Sequence, residues 1–161
     1  MPLIEPLETK EVKKIYEFVI VLDTSYSIDE ELAKRFLSNT YSILSTSNMF
    51  YKSCKVHIIQ CDDRIRKENV ISNQNEMDRL LDSFTLVGGG NTDFRPAFSY
   101  VNDLVDQRVF QNLCGLLYFT DGKGIYPKKC PSYKTAFIYL EDYDQSKVPS
   151  WAIQYRLEEK L

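Results

Sequence analysis

The sequence predicts an α/β domain built on a mostly parallel central sheet, and three observations carry that prediction. Phe18-Val-Ile-Val-Leu22 and Leu113-Cys-Gly-Leu-Leu-Tyr-Phe-Thr120 are nearly continuous apolar runs. They are too short to cross a membrane and too uniformly apolar for half-exposed strands, as expected of strands buried on both faces. Stretches of helical period lie between the strand-like segments. The first run ends in Asp23, Ser25 and Ser27, oxygen-bearing side chains at alternate positions, and open α/β sheets bind ligands outside the carboxyl ends of their strands. The expected architecture is a three-layer α/β/α sandwich of about six strands, one of them an antiparallel edge strand.

Residues 1–16 hold two prolines and the charged run Glu8-Thr-Lys-Glu-Val-Lys-Lys14 without a clear period, and read as a lead-in or linker; residues 17–161 form the domain. A helix is expected from about Asp29 to Ser45, where Leu32, Ala33, Phe36, Leu37, Thr40 and Leu44 form a stripe facing the sheet. Ser27 and Glu30 fit the S-x-x-E capping box. Lys55 to Cys61 is a second apolar strand. Asp62-Asp63 reads as a turn, because Asp hydrogen-bonds local backbone, leading into a polar edge strand from Arg64 to Ile71. Asn75 to Phe84 is a short helix with Met77, Leu80, Leu81 and Phe84 on one face.

Gly88-Gly89-Gly90 lets the backbone take crowded conformations and approach the Asp23 loop closely. A phosphate cradle is the rival reading, but the Gly-Lys-Ser/Thr ending of such loops is missing. Thr92 or Asp93 can cap the next helix, which has Pro96 in its first turn, runs to about Gln107 and turns Ala97, Val101, Leu104 and Val105 inward. After Leu113–Thr120, the stretch to Tyr133 has prolines, glycines and no helical period, so the crossover is a loop. Lys134 to Leu140 and Trp151 to Leu157 supply the last strands. The acidic loop between them, Glu141-Asp-Tyr-Asp144, is a solvated face.

At 161 residues, 43% hydrophobic and 27% charged, the chain suits one domain burying roughly two-thirds of its unfolded surface. A net charge of -3 gives no basic field for a phosphate backbone, so nucleic acid is not expected as a partner. No run approaches a transmembrane helix and no charged region precedes an apolar core at the N-terminus, so a cytoplasmic, membrane-free protein is expected. Cys54, Cys61, Cys114 and Cys130 lie too far apart for a C-x-x-C pair and read as reduced, mostly buried thiols. His57, the only histidine, sits inside Val56-His-Ile-Ile59 and reads as a satisfied core or edge residue. Triads that depend on histidine are thereby set aside, and no catalytic residue is expected.

Asp23, Ser25 and Ser27 together offer the hard oxygen surroundings that Mg²⁺ prefers. Their D-x-S-x-S spacing resembles the first segment of the metal-ion-dependent adhesion site of von Willebrand factor A (VWA) domains. In that family a Thr follows a glycine-rich turn and an Asp closes a later apolar strand, commonly within T-D-G. Here Gly88-Gly-Gly-Asn-Thr92-Asp93 and Leu116-Leu-Tyr-Phe-Thr-Asp121-Gly122 follow in that order. Thr-Asp-Phe-Arg-Pro96, Tyr126-Pro127 and Pro149-Ser-Trp151 extend the likeness, from about Phe18 to Leu157. It is nearest to the VWA-like domain at the C-terminus of larger prokaryotic metallopeptidase-like proteins. Tyr26 stands where the family usually has Gly, and Asn91 where a small Gly is common. A ring at position 26 narrows the mouth of the site.

The resemblance implies a Rossmann-like VWA fold and a metal set of Asp23, Ser25, Ser27, Thr92 and Asp121. It implies Mg²⁺, with Mn²⁺ or Ca²⁺ as alternatives, hydroxyls contacting the metal, and aspartates acting through bound water. It further implies a protein-binding module of intracellular assembly or remodelling, in which a partner's Asp or Glu carboxylate fills the open metal position, and a MoxR-type AAA+ ATPase as a partner. Two other classes stay open. A haloacid dehalogenase-type phosphohydrolase also starts from Asp at the end of its first strand, but Ser25 stands where it needs a second Asp. The third reading is a decayed site whose oxygens serve only as caps and turns.

Overall fold

The computed structural model describes residues 15–25, 28–47 and 53–157. Nearly all of the lead-in segment, together with Tyr26 and Ser27, therefore lies outside the described residues. The elements run β1 (Ile15–Asp23), α1 (Glu30–Ser47), β2 (Ser53–Cys61), β3 (Ile65–Ile71), α2 (Gln74–Asp82), α3 (Arg95–Asp106), β4 (Leu113–Thr120), β5 (Thr135–Tyr139), a 3₁₀ turn (Gln145–Lys147) and β6 (Ile153–Arg156). One six-stranded sheet has the order β3-β2-β1-β4-β5-β6. Only the β2–β3 pairing is antiparallel, so the expected sheet with its antiparallel edge strand is present.

β1 is central because it is apolar on both sides. Val19, Ile20, Val21 and Leu22 are all fully buried, and alternation divides them between two cores. Val19 and Val21 join Ile59, Phe94, Ala97, Phe98, Val101, Tyr118 and Phe137 under α3. Ile20 and Leu22 join Ala33, Phe36, Leu37, Ile58 and Met77 under α1 and α2. Helices thus lie on both faces. The α1 stripe extends through Tyr41, which is buried and was not part of the expected face.

The loops after β4 and β5 carry no α-helix among the described residues, and their aromatic residues Tyr126, Tyr133, Tyr143 and Trp151 pack on the α3 side. The opposite face of β4–β6 is therefore partly open, with a groove of about 280 Å³ between Ile43 and Leu44 of α1 and Leu117, Ile138 and Tyr155 of the sheet. Among the described residues no helix is long and apolar enough to cross a membrane.

Cys54 and Cys61 are buried, Cys114 is half-buried, Cys130 is exposed, and all four are free thiols. Burial pushes the Cys61 thiol up to about 12, which keeps it protonated and unreactive at neutral pH. His57 faces α3 from mid-strand, with Nδ1 3.1 Å from Oε2 of Glu68, whose other oxygen accepts from the Tyr100 hydroxyl. Its Nε2 is buried without a hydrogen-bond partner among the described residues, so this histidine is a core residue only half satisfied.

Candidate functional site

The carboxyl ends of β1 and β4 lie side by side, because Leu22 pairs with Phe119 in parallel register. That register sets Asp23 opposite Thr120, and Thr120 Oγ1 donates to Asp23 Oδ2 at 2.6 Å. The other oxygen of Asp23 accepts the Ser25 amide at 2.9 Å, which folds the chain into a tight Asx turn just past the strand. Asp23 has no exposed surface. Burial pushes its carboxyl above the usual range, the Thr120 hydroxyl and the amide and hydroxyl of Ser25 oppose that shift, and the nearby Asp121 charge adds to it. Asp121, directly after Thr120, is also buried, and its Oδ1 accepts the Lys123 amide at 3.1 Å.

Ser25 is 5% exposed, and its buried hydroxyl lies near enough to Asp23 to lower that carboxyl but makes no hydrogen bond of regular geometry among the described residues. A buried hydroxyl in that state costs free energy on the order of 1–3 kcal/mol unless a ligand completes it. Ser27 lies outside the described residues. At the described start of α1, Asp29 Oδ1 accepts the Glu31 amide at 3.0 Å, and Glu30 Oε1 accepts the Leu86 amide at 3.0 Å. Asp29 is therefore the cap of α1, and the Glu30 carboxylate ties that helix to the glycine loop.

The glycine loop folds over the end of β1. Gly89 donates its amide to the Thr24 carbonyl at 2.8 Å. Gly88 has φ +151°, and a Cβ there would lie 2.5 Å from Thr24 Oγ1, so only glycine permits this approach. Four of the loop's amides are used internally, with Leu86 donating to Glu30, Val87 to Gln60, Gly89 to Thr24 and Gly90 to Asp62. Amides engaged in this way are not free to cradle a phosphate, which disfavours the rival reading of the loop on geometry as well as on motif.

Thr92 is half-buried beside the Asp121 loop. A Cβ on Gly124 would lie 2.8 Å from the Thr92 methyl and 2.7 Å from the Phe94 ring, and the Phe94 amide donates to Ile125 O at 3.1 Å. Asp93 serves the following helix: Oδ1 accepts the Arg95 amide at 3.0 Å, and its carboxylate meets the Arg95 guanidinium at 3.0 and 2.8 Å. The helix opens at Arg95 with Pro96 in its first turn, as the sequence predicts. Asp23, Ser25 and Asp121 thus gather at adjacent strand ends, with Thr92 on the neighbouring loop.

Two participants were not anticipated. Thr120, the first residue of T-D-G, is the hydrogen-bond partner of Asp23. Asp62 is fully buried and does more than shape a turn: Oδ1 accepts from Arg66 Nε at 2.8 Å and the Arg64 amide at 3.2 Å, and Oδ2 from Arg66 Nη2 at 2.9 Å and the Gly90 amide at 3.0 Å. Burial alone would raise the Asp62 carboxyl, but the Arg66 fork and these amides outweigh it and hold the group well below the carboxylate range. The turn expectation holds in the Arg64 contact alone.

As a donor set, two buried carboxylates and a buried hydroxyl fit a hard divalent cation better than a soft one. No three His, Cys, Asp or Glu side chains gather as a ligand group among the described residues, and a site built from two carboxylates and hydroxyls would not produce such a group.

A family model described as VWA-like domain (DUF2201) matches residues 18–158. No curated protein matches the chain. Among solved structures, the chain resembles an aerotolerance-related membrane protein from Bacteroides fragilis at 14% identity and a TM-score of 0.59, covering 90% of this chain and 92% of that one. It resembles the SpRpn10 VWA domain at 11% identity and TM-score 0.60, covering 89% and 88%. It also resembles proximal thread matrix protein 1 of the mussel byssus, in a form with a zinc-occupied MIDAS motif, at 12% identity and TM-score 0.54; the match covers 90% of this chain and 42% of that protein. At these identities the likeness is one of fold.

Proposed function

Because the chain belongs to the family of VWA-like domains (DUF2201), generally non-catalytic interaction modules that are in some cases metal-dependent, we propose that it is a divalent-cation-dependent protein-binding module. The observation that carries the proposal is the buried Ser25 hydroxyl, without a hydrogen bond of regular geometry among the described residues, beside the buried carboxylate of Asp23, with Asp121 at the end of the adjacent strand. Asp23, Ser25, Ser27, Thr92 and Asp121 are the residues proposed to hold the cation, with Mg²⁺ as the resident ion and Mn²⁺ or Ca²⁺ as substitutes. The mussel protein with zinc at its MIDAS motif supports a divalent ion in a fold of this kind.

When bound, the cation supplies a hard positive centre able to accept one further oxygen ligand. The chain's own residues do the rest. Thr120 and the Ser25 amide fix the orientation of Asp23, the α3-side core excludes water from beneath it, and Thr92, beside the Asp121 loop, is the ligand proposed from the glycine loop. The proposed ligand is an Asp or Glu carboxylate of a partner protein, and a MoxR-type AAA+ ATPase is the partner class proposed from resemblance. Among the described residues His57 lies in mid-strand and Asp62 is fully engaged, so neither is placed to act as a general base at Asp23, which supports binding over hydrolysis.

The test is a pull-down from native lysate with wild type and Asp23→Ala, each in Mg²⁺ and in EDTA. The expected result is a partner retained only by wild type in Mg²⁺. Equal retention in all four samples would mean that association uses another face.

A further inference from the structure

Asp62 holds both ends of the short segment that carries Thr92. Its Oδ2 accepts the Gly90 amide at 3.0 Å, and its backbone carbonyl accepts the Asp93 amide at 3.0 Å. Thr92 lies between these two anchors. The carboxylate that makes the first anchor has no exposed surface and receives two donors on each oxygen, so it is not available as a ligand itself.

Arg66 reaches this carboxylate through a local irregularity of the sheet. Along β2–β3, Gln60 pairs with Lys67 and then Cys61 pairs with Ile65, so Arg66 is the extra residue of a β-bulge. Bulges re-aim a side chain, and here the re-aimed guanidinium makes a bidentate clamp on Asp62. The edge hairpin and the glycine loop are thereby joined at one buried carboxylate. On the far side the Thr92 methyl rests against Gly124, so the segment is confined between the clamp and the Asp121 loop.

We infer that Asp62, clamped by Arg66, is the positioning residue that sets Thr92 for the cation site. This rests on the reading of Thr92 as part of that site. Asp62 touches neither cation nor partner in this arrangement; it acts through the backbone of residues 90–93. Outer residues that orient metal ligands commonly contribute about ten- to a hundred-fold in metal affinity.

The experiment uses the full chain as wild type, Arg66→Met and Arg66→Lys. Mg²⁺ affinity is measured by calorimetry, and amide hydrogen exchange in EDTA is read at Gly90 and Asp93, with the β1 amides as an internal reference for global stability. Arg66→Met should expose the Gly90 and Asp93 amides while β1 stays protected, and should weaken Mg²⁺ binding by about ten- to a hundred-fold. Arg66→Lys keeps the charge without the fork and should fall between wild type and Arg66→Met; it carries the test if Arg66→Met does not fold. Wild-type Mg²⁺ affinity and unchanged exchange at both amides in the variants would overturn the assignment. A wild type that itself binds no Mg²⁺ would overturn the cation-site reading, and this inference with it.

Discussion

Thr120 Oγ1 donates to Asp23 Oδ2 at 2.6 Å, joining the ends of two adjacent parallel strands through their side chains. The same hydroxyl accepts the Gly122 amide at 3.1 Å, so one threonine both steadies the Asp23 carboxylate and starts the turn that follows Asp121. The two carboxylates are held close at the head of the sheet, where the Asp121 charge adds to the cost of ionising Asp23.

That arrangement sets a pH and metal dependence. The folded state raises the Asp23 carboxyl above its ordinary 3.8, mainly by burial. The folded protein therefore holds this proton more tightly than the unfolded chain does. The group does not disfavour folding below about pH 3.8, and its penalty grows as pH rises through the raised value. In EDTA, Asp23→Asn should melt higher than wild type at pH 7, with the difference narrowing toward pH 3. Mg²⁺ at about 100 times its dissociation constant should stabilise wild type by about 2.7 kcal/mol and leave Asp23→Asn unchanged. Calorimetric melts check both; superimposed EDTA and Mg²⁺ curves for wild type would contradict an intact site.

The α1 cap gives a test that is independent of metal. Asp29→Ala removes the acceptor for the Glu31 amide and should destabilise the metal-free protein by about 1 kcal/mol. Ser27→Ala should leave metal-free stability close to wild type and weaken Mg²⁺ binding. Urea unfolding in EDTA compares the two, and an equal loss for Ser27→Ala would return the cap to Ser27.

Much of this was legible in the chain itself. The buried strands announced themselves as uninterrupted apolar runs, and the lack of helical period after Thr120 read correctly as a loop crossover. The placement of Asp23, Ser25 and Asp121 at strand ends was legible because each closes or follows such a run. Three features were not. The Asp29 contact to the Glu31 amide and the Glu30 contact to the Leu86 amide were not visible behind the Ser27–Glu30 pattern, the second because it spans 56 residues. Thr120 as partner to Asp23 depends on the β1–β4 register, which no local pattern encodes. Asp62 carried the ordinary signature of a turn, and its role as a clamp appears only once a bulge one strand away turns Arg66 toward it.

The central claim is that a divalent cation is held by the oxygens around Asp23, and calorimetric titration of Mg²⁺ into wild type and Ser25→Ala tests it most directly. Beyond its approach to Asp23, the Ser25 side chain makes no hydrogen bond of regular geometry among the described residues, so the substitution should leave the metal-free fold intact. The expected result is one saturable site in wild type and at least about ten-fold weaker binding in Ser25→Ala, about 1.4 kcal/mol or more. No binding heat in wild type, or identical isotherms for the two proteins, would contradict it.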